Sequence, residues 1–216
     1  MSKGFDFERE TVKLMSLWWT QDLDEPRDDI FYKTSGSGAR HTSRMKKGIS
    51  TYNSAGDMGF LDPLGEPFIN KFLVEMKRGY TNTGRVNSKD IKKVIKEDSH
   101  YEPLTKNIHK YITNKVKKSG DIIDVLDFVD TNKLPLLYKW WEKAEKERKE
   151  AKREASIIIF KRDMKNACVM MDADVLHELM LLHSVNNIII QIKKTYLIIL
   201  SLHDFIENVD PSTIGG

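Results

Sequence analysis

Apolar positions recur at two different periods along this chain, and each change of period marks a change of element. Phe5, Val12, Met15, Trp18 and Trp19 fall near one stripe of a helix over Phe5 to Trp19, which the run Asp22 to Asp29, with Pro26, brings to an end. Ile30 to Thr34 then reads as a short strand entering a tight loop, Ser35-Gly36-Ser37-Gly38. Thr51 to Leu61 is expected to be extended, Asp62-Pro63-Leu64-Gly65 to turn, and Pro67 to Lys77 to be a strand, the two arms forming a hairpin. Asn82 to Asp130 is polar, Lys-rich and weakly helical, with no β alternation, and reads as an insertion. Pro135 suits the first position of a long helix reaching Glu154, with Leu136, Leu137, Trp140, Trp141 and Ala144 on its buried face. Ile157 to Phe160 is apolar throughout and short, as a central strand should be, and Ala167 to Met171 is its expected partner. Asp174 to Val209 should hold a helix, one or two Ile-rich strands and a closing helix. No internal repeat or low-complexity tract interrupts this α/β order.

Composition narrows the class. With 216 residues, 40% hydrophobic and 31% charged, the chain suits one folded domain and is too apolar to stay disordered. One cysteine, Cys168, excludes an intramolecular disulfide framework and a thiolate-rich zinc site, and suits a reducing compartment. The most apolar stretch, Ile188 to Leu202, is broken by Gln191, Lys193 and Lys194 and is too short to span a bilayer, while Met1 to Glu10 carries acids where a signal peptide needs an apolar run. The expectation is a cytoplasmic protein with no membrane partner.

The net charge of +3 conceals a polarised layout. From Lys77 to Lys118 there are 12 Lys and Arg against 4 Asp and Glu, which leaves the rest of the chain net acidic. A basic stretch of this kind attracts a polyanion through counterion release, though a solvated helix face would look the same in sequence.

The chemistry concentrates at Asp57 and Glu75-Met76-Lys77. Residues two apart on a strand share a face, so Glu75 and Lys77 point together while Phe72, Val74 and Met76 make the opposite face apolar. Charges on such a strand are costly unless they are paired or bind something. Asp57, on the preceding arm, can come alongside Glu75. Two carboxylates with the Met76 backbone carbonyl form an all-oxygen set suited to Mg²⁺, with Mn²⁺ as a substitute, and a neighbouring lysine can assist an attacking water during phosphodiester hydrolysis. An acid followed two residues later by lysine occurs five times here, at Glu75/Lys77, Asp90/Lys92, Glu147/Lys149, Glu150/Lys152 and Asp163/Lys165. Only the first lies on a predicted strand one hairpin arm after a Gly-Asp step, Gly56-Asp57.

Gly56-Asp57 followed by Val74-Glu75-Met76-Lys77-Arg78-Gly79 resembles the signature of the PD-(D/E)XK nucleases. Lys3-Gly4 with Phe7-Glu8-Arg9-Glu10, and then Lys33-Thr34-Ser35-Gly36-Ser37, resemble the archaeal-type Holliday junction resolvase branch and related small phage-encoded nucleases. Motif by motif the resemblance covers Lys3 to Gly79, and beyond that it continues as element order, a helix from Pro135 to Glu154 and a strand from Ser156 to Phe160. It implies a restriction-endonuclease-like αβββαβ core with a Lys-rich, mainly helical insertion at 80–134 and a C-terminal α/β extension, all one nuclease domain over 1–216. It implies metal ligation and catalysis by Asp57, Glu75 and Glu8, with Lys77 supporting the water, and DNA contacts from Lys33 and Ser35. Arg40, Arg44 and Arg78 are further expected DNA contacts. The chain departs from the family in placing 57 residues, Arg78 to Leu134, between the third strand and the second helix.

The function expected is therefore a Mg²⁺-dependent DNA endonuclease acting on branched DNA as a homodimer, in the host cytoplasm if phage-encoded. The alternatives are a restriction-like or repair endonuclease on linear duplex, and a non-catalytic DNA-binding protein on the same fold. Other features weigh less. Ser35 to Arg40 lacks the Gly-Lys-Ser/Thr ending of a phosphate-binding loop, and His177 and His183 are six apart where a zinc protease helix needs four. Asp121, Asp124, Asp127 and Asp130 suggest an acidic helix face, the four tryptophans suggest core packing, and Cys168 suggests inert packing.

Overall fold

The structure, a computed structural model, describes residues 3–34, 47, 53, 55–78, 128, 135–162, 164–179, 185–192 and 194–214. Among them are five α-helices and seven strands, a mixed α/β arrangement. Helix α1, Lys3–Trp19, buries Phe7, Val12, Met15 and Trp18. The Ser16 hydroxyl donates to the Val12 carbonyl at 2.8 Å and accepts the Phe31 N–H at 2.9 Å, which ties α1 to strand β1, Phe31–Lys33. The Trp18 indole donates to the Val209 carbonyl at 2.9 Å, so the first helix also fastens the C-terminal end of the fold.

The expected hairpin does not form. Strand β2, Met58–Phe60, pairs antiparallel with β1, setting Phe31 opposite Phe60 and Lys33 opposite Met58. The segment expected as one strand from Pro67 splits into helix α2, Glu66–Lys71, and strand β3, Phe72–Arg78. Local chemistry explains the split. Asp62 caps the turn Pro63–Gly65 by accepting the Leu64 N–H at 2.9 Å, and Pro67 in the first turn of α2 has its φ already set for a helix. Phe68 and Ile69 then find burial from the helix, and strand pairing begins only at Phe72.

β3 is an outer strand of a five-stranded mixed sheet in the order β3-β4-β5-β7-β6. The next described helix after β3 is α3, Leu136–Ala151, from which the chain returns to β4, Ala155–Lys161, parallel to β3 with Val74 opposite Ile157. Antiparallel neighbours complete the sheet: β5, Ala167–Asp172, beside β4; β7, Thr195–Ser201, beside β5; and β6, Asn187–Ile192, beside β7. Helices α4, Ala173–Leu179, and α5, Leu202–Asn208, fill the C-terminal region much as the sequence pattern predicts.

The alternation within β3 and β4 sorts the core into two layers. Phe72, Val74 and Met76, with Ile157 and Ile159, pack on the side of α1, α4 and α5. Leu73, Ile158 and Phe160 pack on the side of α3 with Leu137, Trp140, Trp141 and Ala144. Trp18, Trp140 and Trp141 are buried, in keeping with packing roles. Burial pushes the Cys168 thiol up, which disfavours the reactive thiolate. The predicted insertion at 80–134 lies outside the described residues except for Phe128, which packs against the α3-side core. No helix among the described residues is long and apolar enough to cross a membrane.

Phe68 is fully buried and meets the rings of Trp18, Trp19, Phe31 and Phe72 at centroid distances of 5.9, 5.5, 5.3 and 5.2 Å. Phe68→Ala should cost about 3–5 kcal/mol of unfolding free energy, measured by chemical denaturation.

A charged lock closes the α3–β4 corner. The Arg148 guanidinium and the Ser156 hydroxyl both donate to Glu145, at 2.8 and 2.9 Å. Burial alone would raise the Glu145 carboxyl, but these donors outweigh it and hold the group below its ordinary value. A carboxyl lowered on folding stabilises above its unfolded value, and that contribution is lost as pH falls through the folded one. Glu145→Gln should therefore lower the melting temperature at neutral pH, with the gap to wild type closing on acidification, as thermal melts across the acid range will show.

Candidate active site

Asp57 reaches β3 through its backbone. Its N–H donates to the Val74 carbonyl at 2.7 Å, its own carbonyl accepts the Thr34 N–H at 3.1 Å, and the Thr34 hydroxyl donates to the Gly56 carbonyl at 2.7 Å. The residue is thus held between the end of β1 and the open side of β3. Gly56 makes that approach possible: its φ is +72°, and a Cβ there would stand 2.5 Å from the Val74 carbonyl oxygen.

The Asp57 carboxylate is aimed by the next strand. Its Oδ2 accepts the Met76 N–H at 2.8 Å, so Met76 enters the site through its amide, and its carbonyl stays an expectation from the sequence. Glu75 lies on the α3 side of β3 beside Lys77, as the period-two pattern predicts, and is only 1% exposed. The Lys77 ammonium bonds Glu75 Oε2 and stands 3.6 Å from Asp57 Oδ2, so both carboxylates converge on one nitrogen.

The structure adds a group that the sequence pattern does not point to. Lys143, on α3, brings its Nζ to 3.4 Å from Glu75 Oε2 and 3.3 Å from Glu147 Oε1. Glu75 Oε2 therefore faces two ammonium groups, whereas Oε1 is buried with no hydrogen-bond partner among the described residues. The available signal was the Lys143/Glu147 pair, four apart and flanking the buried Trp140 and Ala144, but its meaning depends on which sheet face α3 covers.

Glu8 is placed differently from Asp57 and Glu75. It pairs with Lys33, whose ammonium also lies 4.6 Å from the centre of the Phe5 ring. The described residues bring together three potential metal-ligating side chains only at His203, Asp204 and Glu207, so Glu8 does not close with Asp57 and Glu75 into one compact group. Arg78 sits at the end of β3 with its guanidinium 5.9 Å from the Phe7 ring centre. Ser35, Arg40 and Arg44 lie outside the described residues, as do His183 and the Asp121 to Asp130 series.

His203, Asp204 and Glu207 themselves serve the helix. Asp204 bonds the Ser201 hydroxyl at 2.7 Å at the start of α5, and His203 pairs with Glu207 one turn on at 3.1 Å, both well exposed. The pair at Asp57 and Glu75 presents oxygen atoms only, the donor type that hard divalent cations take. It offers two fixed carboxylates, one with an orphaned buried oxygen, where an unpartnered buried acceptor is otherwise unfavourable.

Compared with known protein families, curated proteins and solved structures, the chain matches none.

Gly56→Ala should move Asp57 off β3, because the backbone must both leave φ +72° and clear the Val74 carbonyl. The expected cost is about 1–3 kcal/mol by chemical denaturation. The Asp57 and Val74 backbone signals should shift in a ¹H–¹⁵N spectrum.

Proposed function

We propose that the chain is a metal-dependent endonuclease of the restriction-endonuclease-like class, cutting DNA phosphodiester bonds. The observation that carries the proposal is the convergence of Asp57 and Glu75 on the Lys77 ammonium at the open side of β3. The element order supports it: a helix, the short strands β1 and β2, then β3, α3 and a parallel β4, with Asp57 just before β2 and Glu75 and Lys77 on β3. The chain departs from the expected αβββαβ pattern in the intervening α2 and in β1 and β2, which form a sheet of their own and do not pair with β3.

Asp57 and Glu75, with the Met76 carbonyl, would hold Mg²⁺ or Mn²⁺. Bound there, the cation supplies Lewis-acid stabilisation of the charge that builds on the phosphate oxygens. Lys77, already poised between the two carboxylates, holds the attacking water and offsets charge in the transition state. Glu8 contributes through Lys33, setting the ammonium of a residue expected to bind phosphate. Lys33 and Arg78, with Ser35, Arg40, Arg44 and the basic stretch from Lys77 to Lys118, supply backbone contacts that are salt-dependent and largely indifferent to sequence. Branched DNA is the favoured substrate, and symmetric cutting of it requires a second copy of the chain. A cytoplasmic setting belongs to the same proposal.

Purified protein and its Asp57→Ala and Lys77→Ala variants should be compared on four-way junction, duplex and single-stranded DNA, with Mg²⁺ and with EDTA. Wild type should cut with Mg²⁺ alone, and each variant should lose about a hundredfold or more in rate. Cleavage that survives both substitutions would sink the site. Binding without cutting favours the non-catalytic alternative, and equal cutting of all three DNAs removes the junction preference.

A further inference from the structure

Glu75 is buried, yet its two oxygens are treated unequally: Oε2 faces both Lys77 and Lys143, and Oε1 has no hydrogen-bond partner among the described residues. A carboxylate so removed from water needs its charge matched, and an orphaned oxygen adds a desolvation cost of its own. The two lysines are not equivalent. Lys77 has a side chain only 16% exposed and is fixed on the same strand as Glu75, whereas Lys143 comes from α3 and its side chain is 52% exposed. Lys143 also has a second carboxylate, Glu147, at comparable distance, so it can leave Glu75 without becoming an unpaired charge.

We propose that Lys143 is a displaceable counter-ion: it occupies the charge position at Glu75 until a divalent cation binds there, and then withdraws to Glu147. This deepens the nuclease proposal and rests on the same site. Around the site, Asp57, Glu75 and Glu147 carry three negative charges against the two ammonium groups of Lys77 and Lys143. A divalent cation entering with Lys143 still on Glu75 would meet repulsion from a like charge nearby. With Lys143 on Glu147, the cation finds the Glu75 carboxylate answered by Lys77 alone. The exchange makes metal affinity a property of α3 as well as of β3. It involves no covalent step, since one cation replaces another at a carboxylate and the lysine keeps its protons.

The test is Mn²⁺ binding to the full chain, followed by the electron paramagnetic resonance signal of free Mn²⁺, with no DNA present. Lys143→Met removes the competitor and should tighten binding at least threefold. Glu147→Gln takes away the alternative partner and should weaken binding by a similar factor. The opposite signs exclude a general loss of structure, and thermal melts in EDTA confirm that each variant is folded. Asp57→Asn should abolish binding. If wild type and Asp57→Asn both bind, or neither does, the metal site itself falls, and the nuclease proposal with it. If Asp57→Asn alone fails to bind but Lys143→Met leaves affinity unchanged or weaker, only the counter-ion role is overturned.

Discussion

The hydrogen bond from the Asp57 N–H to the Val74 carbonyl is the point on which the site depends. It measures 2.7 Å and joins the two-stranded β1–β2 unit to the open side of the five-stranded sheet. Neither unit contains the whole site. The small one carries Asp57, and the large one carries Glu75, Lys77 and, through the crossover helix, Lys143. Gly56 allows the two backbones to approach, and Thr34 holds the approaching segment by bonds to both Gly56 and Asp57. The separation of Asp57 from Glu75 is thus fixed by main-chain geometry, which side-chain motion cannot easily disturb.

Around that fixed frame the charges are arranged in a gradient of mobility. Glu75 is locked inside the sheet–helix layer, Lys77 is mostly enclosed, and Lys143 is half in solvent. Electrostatic attraction strengthens as water is excluded, so the innermost pair is held most firmly and the outermost most loosely. On the other side of the same strand lies the apolar layer of Phe72, Val74 and Met76. Rigid packing behind β3 and looser ionic contacts before it meet within one residue's alternation.

The local patterns were legible. The alternation of Val74-Glu75-Met76-Lys77 foretold which side chains share a face, and the apolar stripe of Trp140, Trp141 and Ala144 foretold the buried side of α3. The hairpin was not, because β propensity in Phe72 to Lys77 masked the helix-starting chemistry of Glu66-Pro67 just before it. Asp57 still arrives beside β3, by one backbone hydrogen bond instead of a ladder. Lys143 was illegible for a different reason. Its meeting with Glu75 joins residues 68 apart, and no periodicity within either segment encodes which helix turn stands over which strand position. Glu8 shows the same limit from the other side, since its helix was foreseen but its pairing with Lys33 was not.

That long separation also puts the parts of the site on a timetable. The contact between Asp57 and Met76 spans 19 residues and can close as soon as both have left the ribosome. Glu75 must wait for Lys143, and β3 must wait longer still for its parallel neighbour β4. At synthesis rates of about 5–20 residues per second, the delay before Lys143 exists is on the order of several seconds. Until then Glu75 lacks both the helix lysine and the neighbouring strand that enclose it in the complete fold. Its enclosure therefore depends on residues synthesised after it, the crossover helix and the sheet partner that follows.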